Sequence, residues 1–243
     1  MKLSRRIRGR LSRLWQPSLS SEPLPVLDPA QARAAVVTFY MVNISTRVVL
    51  AQRRVLKAFA PPDVAILQIE TAEGHGTAMQ NFIRQTHYRT ILFLDIDCIP
   101  LDRHSIGKLI GLAEGGALAG AVQRASHIQN DKHLYVGPFC MALSTTRYRE
   151  IDEPTFLETS RGDVGEELTY AMEKRGHPVH FLWPTSVEQP IWPLTKTVLF
   201  GPGTTYEDSF WHAFHIREHI SQQRFTSRCE EVLARGASPH QPG

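Results

Sequence analysis

Between residues 34 and 100 the chain alternates unbroken apolar runs with helix-periodic stretches, and this order leaves few folds open. Residues 34–42 (AAVVTFYMV), 64–69 (VAILQI) and 91–94 (ILFL) are continuous apolar segments of strand length. An unbroken run, unlike an alternating one, marks a strand covered on both faces, as in a parallel sheet. Residues 47–59 place Val48, Ala51, Val55 and Phe59 on one helical face, and Pro61-Pro62 ends that helix. After a Gly74-His75-Gly76 loop, residues 77–86 turn Met79, Phe82 and Ile83 inward as a second helix. Strand, helix, strand, helix, strand is a βαβαβ half, which implies a parallel sheet joined by right-handed crossovers. The second half is mixed. It predicts strands at 117–122, 134–143 and 179–183, and a helix at 163–175 with Leu168, Ala171 and Met172 inside and Gly176 at its C-terminal cap. A short helix follows Glu218, and then a Gly/Ser/Pro tail.

The third strand runs directly into Asp95-Ile96-Asp97-Cys98-Ile99-Pro100. Side chains two apart on extended backbone share a side, so Asp95 and Asp97 can both face the crevice beyond the strand's carboxyl end. Open α/β sheets bind ligands there. Two carboxylates in that place repel each other unless a cation or several donors lie between them. The competing structural use is to cap the following turn. Cys98, with no base adjacent in sequence, reads as a small buried hydrophobe and not as a nucleophile.

The net charge of +3 conceals an asymmetry. Residues 1–15 carry six basic groups and no acid, leaving 21 of the 27 basic residues to face all 24 acidic ones in the rest of the chain. Leu3, Ile7, Leu11 and Leu14 recur at helical spacing in this arm, which fits peripheral contact with an anionic membrane surface as well as a plain tail. The slightly acidic body has no basic stripe with interleaved aromatics, so nucleic acid is not an expected partner. Cys98, Cys140 and Cys229 are widely spaced with no C-x-x-C pair, which supports neither a zinc site nor a disulfide framework and points to a reducing compartment. No apolar run is long enough to span a bilayer, and the basic start leads into no signal-peptide core. The expected division is a basic arm and Pro/Ser-rich linker at 1–33, one folded domain at 34–217, and a helix and tail at 218–243. The expected location is cytoplasmic, with contact at the inner membrane through residues 1–15.

These segments together resemble a glycosyltransferase of the GT-A fold, nearest the family-2-like nucleotide-diphospho-sugar transferases. The resemblance rests on Gly76-Thr77-Ala78-Met79-Gln80-Asn81 ahead of the apolar strand, and then on Asp95-Ile96-Asp97 with its Ile99-Pro100 turn. Downstream it rests on Val136-Gly137-Pro138-Phe139, on Arg161-Gly162-Asp163-Val164-Gly165-Glu166, and on Phe210-Trp211-His212-Ala213-Phe214-His215. It implies a three-layer α/β/α sandwich with a mostly parallel central sheet and a nucleotide diphosphate sugar donor. It also implies a glycan or lipid-linked acceptor, cell-surface glycan synthesis, and Mn²⁺ or Mg²⁺ as cofactor. On that resemblance Asp97 is the direct metal ligand, Asp95 reaches the nucleotide or the metal's water shell, and His212 is the third ligand, with His215 and His219 competing for the role. Asp163 is the general base and Glu166 the next candidate, although D-x-x-E is equally a capping box. Asn43, Glu70 and Asn81 are donor-contact candidates, each competing with an ordinary turn or cap role. Trp183, Trp192 and Trp211 are candidates to stack on an acceptor sugar, against a default of core packing.

Three other readings compete. A haloacid-dehalogenase-type phosphatase would use Asp95 as nucleophile, but its D-x-D strand usually opens the domain, and here it is third. A nucleotidyltransferase would carry a Gly-rich basic loop after the first strand, where this chain has Asn43-Ile44-Ser45-Thr46-Arg47. The third is an inactive GT-A module docking at a membrane through its arm. Retention of both aspartates and of the acidic helix start argues against it.

Overall fold

The computed structural model describes residues 27–125, 127–128 and 133–237. The basic segment at 1–15, most of the linker and the last residues of the tail lie outside the described residues. Strand β1 (Ala34–Met41), helix α1 (Thr46–Phe59), β2 (Val64–Thr71), helix α2 (His75–Gln85) and β3 (Thr90–Leu94) form the expected βαβαβ half. β5 (Leu118–Arg124), β6 (Leu134–Ser144) and β7 (Val179–Leu182) complete a six-stranded sheet in the order β2-β1-β3-β6-β5-β7. The pairs β1–β2, β1–β3 and β5–β7 are parallel, and β6 runs antiparallel to both β3 and β5.

The continuous apolar runs have a direct cause. Ala34, Val36 and Leu92, Leu94 pack on one face with Leu56 of α1 and Ile106, Leu109 and Ile110 of helix α3 (Ser105–Glu114). Ala35, Val37, Phe39 and Ile91, Phe93 pack on the other with Met79 and Ile83 of α2 and Leu168 and Met172 of helix α5 (Glu166–Lys174). A strand sandwiched between helix layers needs apolar side chains on both sides, so periodicity disappears. The result is a three-layer α/β/α sandwich.

A second, smaller sheet has the order β4-β12-β11-β8, built from β4 (Cys98–Pro100), β8 (Pro184–Val187), β11 (Thr204–Tyr206) and β12 (Phe210–His212). The segment from 91 to 100 therefore divides. β3 ends at Leu94, the chain turns through Asp95–Asp97, and β4 enters the other sheet as an edge strand, where Pro100 is tolerated. A two-residue ladder, β9 (Trp192–Pro193) with β10 (Leu199–Phe200), and a one-turn helix α4 (Thr145–Glu150) complete the described elements up to the last helix.

Three segments differ from the sequence expectation. α3 is not anticipated, because Gly107 and Gly111 dilute an otherwise regular apolar set of Ile106, Leu109, Ile110 and Ala113. The helix expected from 163 begins at Glu166, because Gly165 adopts a left-handed φ of 80° and Asp163 stays in the preceding turn. The short helix expected after Glu218 is α6 (His219–Ala237), 19 residues long. Its Phe225, Cys229 and Val232 pack on Val48, Val49, Val55 and Phe59 of α1. No helix among the described residues is long and apolar enough to cross a membrane.

Candidate active site

The Asp95–Asp97 turn is fixed by its backbone. The Asp95 N–H donates to Phe139 O at 2.9 Å, and the Asp95 carbonyl accepts the Cys98 N–H at 3.0 Å. A fully buried glutamine on α1 holds the same turn: Gln52 Nε2 donates to Asp95 O at 2.6 Å and to Cys98 O at 3.0 Å. Gln52 Oε1 in turn accepts from Gln68 Nε2 at 2.8 Å, and Gln68 Oε1 accepts from Arg53 Nε at 2.7 Å. Buried polar chains of this kind stiffen a site when every member is satisfied. Sequence reasoning passed over Gln52, whose only mark is a polar residue on the inward face of an amphipathic helix.

His212 arrives from 115 residues away through the β4–β12 ladder. The register pairs His212 with Cys98, and the Ala213 N–H donates to Asp97 O at 3.0 Å. His212 Nε2 lies 3.2 Å from Asp97 Oδ1, and both residues are buried. The imidazole stacks on Phe139 with centroids 4.3 Å apart and touches Phe214 at 3.8 Å. His212 Nδ1 is buried without a hydrogen-bond partner among the described residues. One ligand atom from each of Asp95, Asp97 and His212 lies within 4.8 Å of the others. Two carboxylate oxygens and an imidazole nitrogen form a donor set suited to Mn²⁺ and acceptable to Mg²⁺, so the residues fit the expected ion.

His75, the first residue of α2, is a further member that sequence reasoning left in a loop. Its Nε2 is 3.2 Å from Asp95 Oδ1. Burial raises the Asp95 carboxyl above the ordinary carboxylate value; His75 pulls it back, the Asp97 charge adds to the rise and His212 opposes it. Gly76 is what lets the start of α2 pass so close to the backbone at Phe156. A Cβ there would meet Phe156 O at 2.6 Å, and that carbonyl already accepts the Gly165 N–H at 3.1 Å.

Asp95, Asp97, His212, Phe214, His215 and Arg217 line an open cleft of about 440 Å³. Phe214 and His215 hold left-handed φ values of 55° and 52°, an uncommon state for two consecutive non-glycine residues. His215 faces Glu218 at 3.8 Å and Trp192 at 5.5 Å, and is not part of the three-ligand group. His219 opens α6.

Asn43 sits just past β1, which neighbours β3, and Glu70 near the end of β2 one strand further out, both at the carboxyl edge of the parallel strands. Asn81 lies on α2 and donates to Glu73 Oε2 at 3.1 Å. Asp163 and Glu166 come together, with the Asp163 N–H donating to Glu166 Oε2 at 2.8 Å. Asp163 is half-buried and Glu166 fully buried. The exposed pair His127 and Glu158 brings ligand atoms within 4.8 Å of Asp163. Trp211 is corrected as an acceptor-stacking candidate. It is buried on Phe225 and donates its indole N–H to Glu188 Oε1, so it belongs to the core. Trp183 is partly exposed at the β7–β8 junction, and Trp192 packs against Phe200 and Phe214.

The family model described as Glycosyl transferase family 2 matches residues 51–163, from within α1 to Asp163 and a little under half of the chain. No curated protein sequence matches. Among solved structures, the chain is similar to a Drosophila β1,4-galactosyltransferase 7 variant in complex with manganese, UDP-Gal and xylobiose. The identity there is 13% over 87% of this chain and 82% of that one, with a TM-score of 0.45. It is also similar to a mannosyltransferase from Pyrobaculum calidifontis in complex with GDP-Man and Mn²⁺, at 13% identity, 72% and 60% coverage and a TM-score of 0.43. A third is A197 from STIV, at 15% identity, 60% and 80% coverage and a TM-score of 0.40.

Proposed function

We infer, from the family-2 glycosyltransferase match and the site at its centre, that this GT-A-type chain moves a sugar from a nucleotide diphosphate donor to an acceptor hydroxyl, and does so with a divalent metal. The observation that carries the reading is the convergence of Asp95, Asp97 and His212 within 4.8 Å at the carboxyl end of β3. Asp97 and His212 would hold Mn²⁺ or Mg²⁺, with Asp95 on the nucleotide or on the ion's water shell. An ion there offsets the charge that gathers on a departing diphosphate. Asn43 and Glu70, at the same edge of the sheet, are proposed nucleoside contacts, with Asn81 beside them on α2. Arg217, which lines the same cleft beside Glu218, is a cation available to an anionic donor.

Asp163 is proposed as the general base. It accepts the acceptor hydroxyl's proton as the oxygen attacks the anomeric carbon, and the diphosphate leaves with the bonding electrons. Glu166, fully buried and bonded to the Asp163 N–H and to His133, supports the base and does not replace it, whereas Asp163 is only half-buried. The acceptor is proposed to be a glycan or lipid-linked sugar in cell-surface glycan synthesis. A domain at 34–217, to which α6 adds its packing on α1, the cytoplasmic setting and membrane contact through residues 1–15 belong to the same proposal. The test is a panel of nucleotide sugars with Mn²⁺ or Mg²⁺, scored for release of nucleoside diphosphate with and without chelator. Turnover of one donor that chelation stops is the expected result. Turnover indifferent to chelation, or none with any donor, would overturn the reading.

A further inference from the structure

A capping box needs only one oxygen of its glutamate. Glu166 uses Oε2 for the Asp163 N–H, and its other oxygen, Oε1, lies 2.7 Å from His133 Nδ1. His133 Nε2 lies 3.0 Å from Glu173 Oε2, so both ring nitrogens face carboxylates. An ionised carboxylate only accepts, so this geometry is fully satisfied only by an imidazolium that donates from both nitrogens. On the opposite side of the base, Tyr135 is fully buried on β6 and its hydroxyl donates to Asp163 Oδ2 at 2.9 Å. Asp163 Oδ1 accepts the Val164 N–H at 2.7 Å. Asp163 is thus held by three groups, and of the contacts around it the Tyr135 hydroxyl and the His133 behind Glu166 are ones that an N-terminal cap does not require.

We propose that Tyr135 and His133 are positioning residues for the acceptor-side base: Tyr135 aims the Asp163 carboxylate, and His133, acting through Glu166, holds the Asp163 backbone. This rests on the reading of Asp163 as the base. Among the described residues, the groups facing His133 are Glu166, Tyr170 and Glu173 from α5, with its ring stacked on Tyr170 at 3.9 Å, and Glu167 of the same helix also feels its charge. Arg161 lies over the same Tyr170 ring at 4.4 Å and pairs with Glu167. Burial works against the His133 charge, but the hydrogen bonds to Glu166 and Glu173 outweigh it and raise its pKa. When His133 loses its proton, one ring nitrogen becomes an acceptor facing a carboxylate. The contact between that nitrogen and the fully buried Glu166 then weakens, and the turn that carries Asp163 loosens.

The experiment combines kinetics with an amide reporter on the full chain. Tyr135→Phe and His133→Gln are expected to lower kcat at least tenfold while leaving the donor KM and the nucleotide-plus-Mn²⁺ thermal shift unchanged. The Asp163 amide proton, followed by NMR, is expected to titrate with His133 in the wild type and to be flat in His133→Gln. The wild-type rate is expected to fall on the alkaline side along that same titration. An Asp163 amide indifferent to His133 overturns the support, and both variants with wild-type kcat overturn its catalytic part. If His133→Gln does not fold, Tyr135→Phe decides on kcat alone. A wild type that transfers no sugar, with the amide titration intact, refutes the base assignment instead and takes this inference with it.

Discussion

Asp97→Asn separates binding from folding with opposite signs. The substitution keeps the side chain's shape and its contact with His212, and removes one of two carboxylates whose ligand atoms lie within 4.8 Å. At an effective dielectric near 20, two unit charges at that distance repel by roughly 3.5 kcal/mol. Asp95 retains 29% side-chain exposure, so solvent screening leaves on the order of 1 kcal/mol. Without ligand, the variant is therefore expected to melt about 2–4 °C above the wild type, given the entropy of unfolding for a chain of this size. With a nucleoside diphosphate and Mn²⁺ at about a hundred times the dissociation constant, the wild type gains about 2.7 kcal/mol, or roughly 5–11 °C. The variant is expected to gain nothing under those conditions. The assay is thermal denaturation of both proteins with each ligand alone and with the two together. A variant that keeps the metal-dependent shift, or one that melts several degrees lower without ligand, refutes the assignment of Asp97.

Three further outcomes follow from the packing. Gln52→Leu removes the donor shared by Asp95 O and Cys98 O and is expected to cost about 1–3 kcal/mol in urea denaturation and to weaken Mn²⁺ binding; unchanged metal affinity would show that the turn holds itself. Gly76→Ala drives a Cβ to 2.6 Å from a backbone carbonyl that cannot retreat cheaply and is expected to cost about 1–3 kcal/mol, whereas Gly111→Ala, exposed on α3 with nothing within 4 Å, is expected to gain about 0.5–1 kcal/mol; equal effects on the denaturation midpoint would refute the steric account. His133 has a raised folded-state pKa, so its stabilisation is full below the unfolded value near 6.5 and is lost as pH rises through the higher folded value. The stability gap between wild type and His133→Gln is accordingly expected to shrink on going from about pH 6 to about pH 9, and a gap that widens would contradict the sign.

The sequence alone determined the parallel half of the sheet, because each of its strands is buried on both faces and must be apolar throughout. It also determined the place of Asp95 and Asp97, since an apolar strand that ends in two acids needs no distant partner to be noticed. Pairing over long distance decided the rest. His212 could be named only as one of three histidines, and the β4–β12 register, with Ala213 bound to Asp97, is what brings it beside Asp97. Gln52, His75, His133 and Tyr135 carry no local signature. A glutamine on a helix face or a tyrosine in a strand looks the same whether it meets water, core or a catalytic turn. Asp163 and Glu166 were legible as a pair, but their partners were not: only the fold gives Glu166 a second contact at His133 and Asp163 a tyrosine donor. Local chemistry follows from neighbours along the chain, whereas hydrogen-bond partners and burial depend on segments brought together from 28 to 115 residues away.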